Sequence, residues 1–174
     1  MVKIRCINNG ETKSFTAGVS LQQAFDAFAL DMPYGAVSAR VNNKTEGLDF
    51  KVYNNKDVEF LDITSDSGMR TYVRSLFFVL CKAIDDLYPD GEIFIEHPIS
   101  KGYFCSLRIG RPVTSADVES IRLRMQEIIA ADMPITRIHC PTADAIKTFG
   151  RGGRTDVTTL LETAGRLYST YYKL

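Results

Sequence analysis

The chain has no long apolar run, no surplus of either charge and no closely spaced cysteine pair. Its longest apolar stretch, Leu76 to Cys81, ends at Lys82, far short of the ~20 residues that span a bilayer. Met1-Val-Lys-Ile-Arg5 alternates like a strand and lacks the apolar centre of a secretory signal. A cytoplasmic location with no membrane partner is expected. The 21 basic and 21 acidic side chains cancel. Up to Ile63 they number 7 and 8, and beyond it 14 and 13. Neither part has the excess of a protein that grips nucleic acid mainly through phosphates, although a local basic patch remains open. Cys6, Cys81, Cys105 and Cys140 lie far apart in apolar-periodic stretches. They read as reduced core residues, and a metal site made with His97 or His139 is not expected. The Gly-x-x-x-x-Gly-Lys-Ser/Thr phosphate cradle is also missing, so this stretch of chain is expected to bind no cofactor and to phosphorylate nothing.

What is present is the makeup of a globular protein, 45% hydrophobic and 24% charged over 174 residues, enough for one medium domain or two small ones. The strongest helical signal is Gly68 to Tyr88, with Ser65, Asp66 and Ser67 as N-cap candidates and Pro89-Asp90-Gly91 as a stop. Its broad apolar stripe requires burial on more than one side. Ahead of it, Val2, Ile4 and Cys6 alternate in a strand, Asn8-Asn9-Gly10 makes a turn, and Glu11 to Thr16 returns. Ser20 and Gln23 form a capping-box pattern for a helix with Leu21, Ala24, Phe25 and Phe28 on one face. Strands over Ala36–Asn42 and Asp57–Ile63 follow. This order reads as α+β, the helix covering one face of a sheet.

The residues Ser20-Leu21-Gln22-Gln23-Ala24-Phe25, Ala39-Arg40-Val41-Asn42-Asn43-Lys44, Leu48 and Asp57-Val58-Glu59-Phe60-Leu61 resemble the signature of TGS domains. Those are ubiquitin-like β-grasp binding modules found beside threonyl-tRNA synthetases, certain GTPases and stringent-response enzymes. Asn43 stands where that family usually has glycine; asparagine also tolerates a left-handed turn. The resemblance implies a TGS-like β-grasp domain over 1–63.

Beyond the long helix, the spacing predicts strands over Glu92–Glu96 and Tyr103–Ile109 around a loop at His97–Gly102. Thr114-Ser115-Ala116-Asp117 caps a helix running to about Ala131. A strand over Ile135–Cys140 and a helix over Thr142–Phe149 follow. Val157, Leu160, Leu161, Ala164, Leu167, Tyr168, Tyr171 and Tyr172 then fall at helical spacing up to Lys173-Leu174. A helix stopping inside its own pattern implies a piece of a longer polypeptide. Ser75, Leu80, Ala83-Ile84, Leu87-Tyr88-Pro89, Gly102-Tyr103-Phe104 and Arg124-Met125-Gln126-Glu127-Ile128-Ile129 are similar in order and spacing to the second additional domain of threonyl- and alanyl-tRNA synthetases, the editing module. The second domain, 64–174, is therefore expected to be α+β of that kind.

The editing enzymes carry a His-x-x-x-His pair on the long helix. Arg74 and Phe78 occupy those positions here, and neither can serve as a neutral base or metal ligand. The family's later Cys-x-x-x-His segment is also absent from the sequence. Catalytic residues are thus expected to be none. A TGS domain followed by an editing-like segment without histidines resembles the N-terminal region of bacterial uridine kinase-like (nucleoside kinase) proteins. That resemblance implies a non-catalytic regulatory or ligand-binding region, with a downstream kinase domain of the same chain as partner and ATP and magnesium bound only there. The alternative is an RNA (tRNA)-binding module related to the threonyl-tRNA synthetase N-terminal domains, without editing activity. A nucleoside, nucleotide or RNA ligand suits one reading or the other.

The candidate anion- or ligand-binding residues are Arg74, Phe78, His97, Lys101, Tyr103, Arg151 and Arg154. Arg74 with Lys101 and His97 suits a phosphate or carboxylate, or else is a solvated arginine beside a packed phenylalanine. Gly150-Arg151-Gly152-Gly153-Arg154 suits an anion nest, or equally a helix C-cap and turn. His139 reads as an ordinary strand residue. Tyr168, Tyr171 and Tyr172 read as a packing face, or as a stacking platform for bases.

Overall fold

A computed structural model describes residues 1–100 and 102–174. The chain is α+β, and its contacts divide it into two compact units, Met1–Phe77 and Phe78–Leu174. Among the described residues no helix is long and apolar enough to cross a membrane.

The first unit is a β-grasp. β1 (Val2–Cys6) and β2 (Thr12–Phe15) pair antiparallel, Val2 opposite Phe15. Gly10 closes the turn between them at φ 76°, its amide donating to the Cys6 carbonyl at 2.9 Å. A short β3 (Val19–Ser20) leads into α1 (Leu21–Phe28). The Ser20–Gln23 capping box forms as its spacing predicts: Gln23 N–H donates to Ser20 Oγ and Ser20 N–H to Gln23 Oε1. β4 (Ser38–Val41), β5 (Lys44–Glu46), β6 (Lys51–Val52) and β7 (Lys56–Leu61) complete the unit. The sheet order is β2-β1-β7-β4-β5, with β1 and β7 parallel at its centre, while β3 and β6 pair separately. Sequence periodicity does not disclose β3, β5 or β6, which have two or three residues each.

Alternation turns Ile4, Cys6, Val58 and Phe60 toward α1, whose Leu21, Ala24 and Phe28 complete the core. Phe60 is 1% exposed, with the Phe25 ring centroid at 5.2 Å and that of Phe28 at 6.4 Å. Burying each such side chain contributes about 1.5–3 kcal/mol. The Asn8 amide straps the sheet further, donating to the Phe60 carbonyl (2.9 Å) and accepting from the Phe60 amide (2.8 Å). Asn42 and Asn43 form the β4–β5 turn with φ 46° and 68°. Both central residues of this two-residue hairpin are left-handed, so the asparagine at 43 does what glycine would do there.

α2 (Asp66–Leu87) follows, and the division between the units lies within it. Its second half, through Val79, Ala83 and Ile84, packs with Ile121 and Ile128 of α3 (Ser115–Ala130) in the second core. β8 (Glu92–Ile99) and β9 (Gly102–Arg108) form an antiparallel hairpin. The expected loop at His97 to Ile99 is instead strand, continuing past a register shift between Ile95 and His97. β10 (Thr136–Pro141), α4 (Thr142–Arg151), α5 (Thr155–Thr163) and β11 (Tyr168–Lys173) close the unit.

The helical spacing read from Val157 to Tyr172 is not what forms. α5 ends at Thr163, Gly165 takes φ 61° and donates to the Glu162 carbonyl, and the tyrosines belong to β11. A left-handed glycine just past the last turn is an ordinary helix stop. β11 pairs antiparallel with β10, Thr136 opposite Lys173 and Pro141 opposite Tyr168. The inference of a severed helix loses its premise.

Candidate functional site

α2 starts on a built cap. Asp62 accepts from the amide and hydroxyl of Thr64, and Ser65 Oγ accepts from the Gly68 amide at 3.1 Å while donating to the Asp62 carbonyl. A β-carbon at Gly68 would lie 1.8 Å from the Asp62 carbonyl oxygen, so only glycine fits. The helix so anchored carries Arg74 and Phe78 one turn apart, on one face. Arg74 is exposed, with no ion-pair or hydrogen-bond partner among the described residues; Phe78 is half-buried. An exposed guanidinium on a rigid helix can grip an anion but cannot take up or release a proton near neutral pH.

In the second unit, the far end of the β8–β9 hairpin gathers two more expected residues. His97 lies opposite Phe104, ring centroids 5.5 Å apart, and Tyr103 lies opposite Pro98. Both are exposed. Lys101 lies outside the described residues.

Arg151 and Arg154 flank the end of α4. The amides of Gly152 and Arg154 donate to the Phe149 carbonyl and that of Gly153 to Gly150, at 3.0–3.1 Å. Those amides satisfy the helix terminus, which is the C-cap alternative of the two the sequence left open. Arg154 is bound to Asp156 through Nε (3.0 Å) and Nη2 (2.9 Å) and holds that carboxyl at about 2. Arg151 is exposed.

The expected tyrosine face divides. Tyr168 and Tyr172 are exposed on one side of β11, whereas Tyr171 turns to the other and meets the Phe149 ring edge-on at 5.1 Å. His139 sits in β10, stacked on Tyr168 and hydrogen-bonded through Nδ1 to Thr170 Oγ1. Burial pushes the Cys81 thiol up, and Asp85 adds to it. Among the described residues no three His, Cys, Asp or Glu side chains converge as a metal site would require.

The densest polar cluster escapes sequence reading. Asp117, buried at the start of α3, accepts from Arg111 Nη1 (2.7 Å) and Nη2 (2.6 Å), from the Thr114 amide and hydroxyl, and from the Tyr88 hydroxyl (2.8 Å). These donors, Arg111 foremost, hold its carboxyl well below the ordinary carboxylate range, and in turn the Tyr88 phenol is raised. The capping box announces Asp117 and Thr114; nothing in the local pattern announces Arg111 or Tyr88. Every one of its donors comes from the chain itself, so the cluster locks the end of α2 to the start of α3 and is a structural joint.

No family model matches the chain. Among curated proteins it is similar to threonine–tRNA ligases. That of Desulforamulus reducens is 26% identical over 149 residues, covering 86% of this chain and 23% of the ligase. That of Syntrophomonas wolfei is 28% identical over 149 residues, with the same shares. Threonine–tRNA ligase 2 of Bacillus subtilis is 22% identical over 143 residues, 82% of this chain and 22% of the ligase. The chain spans less than a quarter of the length of these relatives, and the similarity runs through both units. The nucleoside-kinase association finds no support among them.

Proposed function

We propose that this chain is a tRNA-binding module related to the N-terminal domains of threonine–tRNA ligases, acting in the cytoplasm, and that it holds tRNA without editing it. The observation that carries this reading is the similarity to the ligases over more than four-fifths of the chain, extending from the β-grasp into the editing-like unit. The relatives' name specifies tRNA as the molecule acted on, and a β-grasp followed by an editing-like unit matches the resemblance read from the sequence. By that resemblance, Arg74 and Phe78 stand where the editing enzymes carry their pair of histidines. The module therefore keeps a surface for the nucleic acid and lacks the groups that would move a proton during ester hydrolysis. Arg74, unpaired on a capped helix, is the candidate phosphate contact of that surface.

A mobility-shift titration with tRNA tests the reading. A discrete complex that weakens as salt rises is expected. Absence of any complex at low salt would overturn it and return attention to nucleoside or nucleotide ligands.

A further inference from the structure

We infer that the open face of the β-grasp sheet carries a binding site for an RNA backbone phosphodiester, centred on Lys3 and Arg5 with Lys56 at its edge. This rests on the tRNA-binding reading and adds to it a location that neither the sequence signatures nor the relatives supply. Alternation along β1 buries Val2, Ile4 and Cys6 against α1 and leaves Lys3 and Arg5 on the opposite face. Two residues apart on a strand, they stand about 7 Å from one another, comparable to the step between successive phosphates of a nucleic-acid strand. The parallel pairing of β1 with β7 sets Asp57 opposite Arg5 on that face; Lys56, at the first residue of β7 and opposite the buried Ile4, borders the basin at its edge. The resulting basin has a volume of about 290 Å³ and is open to solvent; Thr12, Asn42 and Asn55 supply its neutral hydrogen-bonding rim.

The charges in the basin do not cancel. Among the described residues Asp57 is the one acid of its lining, and it grips Arg5 through Nε (3.0 Å) and Nη2 (2.8 Å). That grip fixes the guanidinium while leaving Nη1 to donate outward. The Lys3 and Lys56 ammonium groups have no acidic partner among the described residues. Three cations against one carboxylate leave the basin positive within a chain of zero net charge. An open, hydrophilic basin gives little of the enclosure and apolar contact by which small molecules are held. It suits instead an extended polyanion lying across the surface, gripped at its phosphates.

The test is a fluorescence-anisotropy titration of labelled tRNA with the whole chain over a salt series. The variants are Lys3→Gln with Lys56→Gln, the charge-keeping pair Lys3→Arg with Lys56→Arg, and a control of equal charge change elsewhere, Lys51→Gln with Lys173→Gln. The glutamine pair at 3 and 56 is expected to lose affinity on the order of tenfold and to flatten the log–log salt slope by about 2. The arginine pair should bind as the parent does. Binding by the parent with the glutamine pair indistinguishable from the control would overturn this site while leaving the tRNA reading standing. No binding by the parent would overturn both. Unchanged circular dichroism of the glutamine pair secures the comparison, and a loss of affinity that the arginine pair shares would also count against the site.

Discussion

Phe60 holds the β-grasp together, and its truncation sets a quantitative test of that unit. The side chain is 1% exposed, centred between Phe25 and Phe28 of the covering helix. Replacing it by alanine removes a ring from a closed core and leaves a cavity, a change that costs about 3–5 kcal/mol. A unit extending over Met1–Phe77 has a total stability of about 4–12 kcal/mol at ordinary values per residue. Phe60→Ala is therefore expected to consume much of that margin, and Phe60→Leu far less. Urea denaturation followed by far-ultraviolet circular dichroism measures it: the transition in which this unit unfolds should move to much lower urea in Phe60→Ala with its slope unchanged. A loss below about 1 kcal/mol would refute the packing described, because a collapsible or solvated site is the remaining way to remove a phenyl ring so cheaply.

Other outcomes follow from the same geometry. Asn43 at φ 68° should accept glycine with a gain of a few tenths to about 1 kcal/mol and resist valine by about 1–2 kcal/mol, read as shifts in melting temperature. Ser38 Oγ is buried with no hydrogen-bond partner among the described residues, so Ser38→Ala should be neutral or stabilising by up to about 1–2 kcal/mol; a clear destabilisation would show an unseen partner. The depressed Asp117 carboxyl contributes stability that is complete above the ordinary aspartate value near pH ~4 and is lost as pH falls from there toward its folded value. Asp117→Asn should accordingly lower the melting temperature at neutral pH, and the gap to the parent should narrow on acidification. A gap that stays constant down to the acid limit would argue against the Arg111–Asp117–Tyr88 cluster.

How much of this was legible depends on the distance over which each feature is determined. β1, α1 and the Asn42-Asn43 turn rest on contacts within a few residues, and their alternation, capping box and left-handed asparagines can be read directly. The last stretch misleads because Leu160, Leu161, Ala164 and Leu167 continue a helical count across Gly165, while the partner that makes Tyr168–Lys173 a strand is β10, some thirty residues earlier. Pairing at that range leaves no local mark. The same limit hid the basin. Lys3 and Arg5 share a face by simple alternation, but the start of β7, with Lys56 and Asp57, is brought beside them only by a parallel pairing across more than fifty residues. Of the expected site residues, His97 and Tyr103 lie near one hairpin end, opposite Phe104 and Pro98 respectively, whereas Arg154 is taken up by Asp156 two residues on. A charged pair that close in sequence was available to notice.

The most direct test is a single incubation of the chain with mischarged threonine tRNA, following bound tRNA and the aminoacyl ester together. A complex in which the ester decays no faster than in buffer is the predicted result. Hydrolysis above that background, or no complex at all, would contradict it.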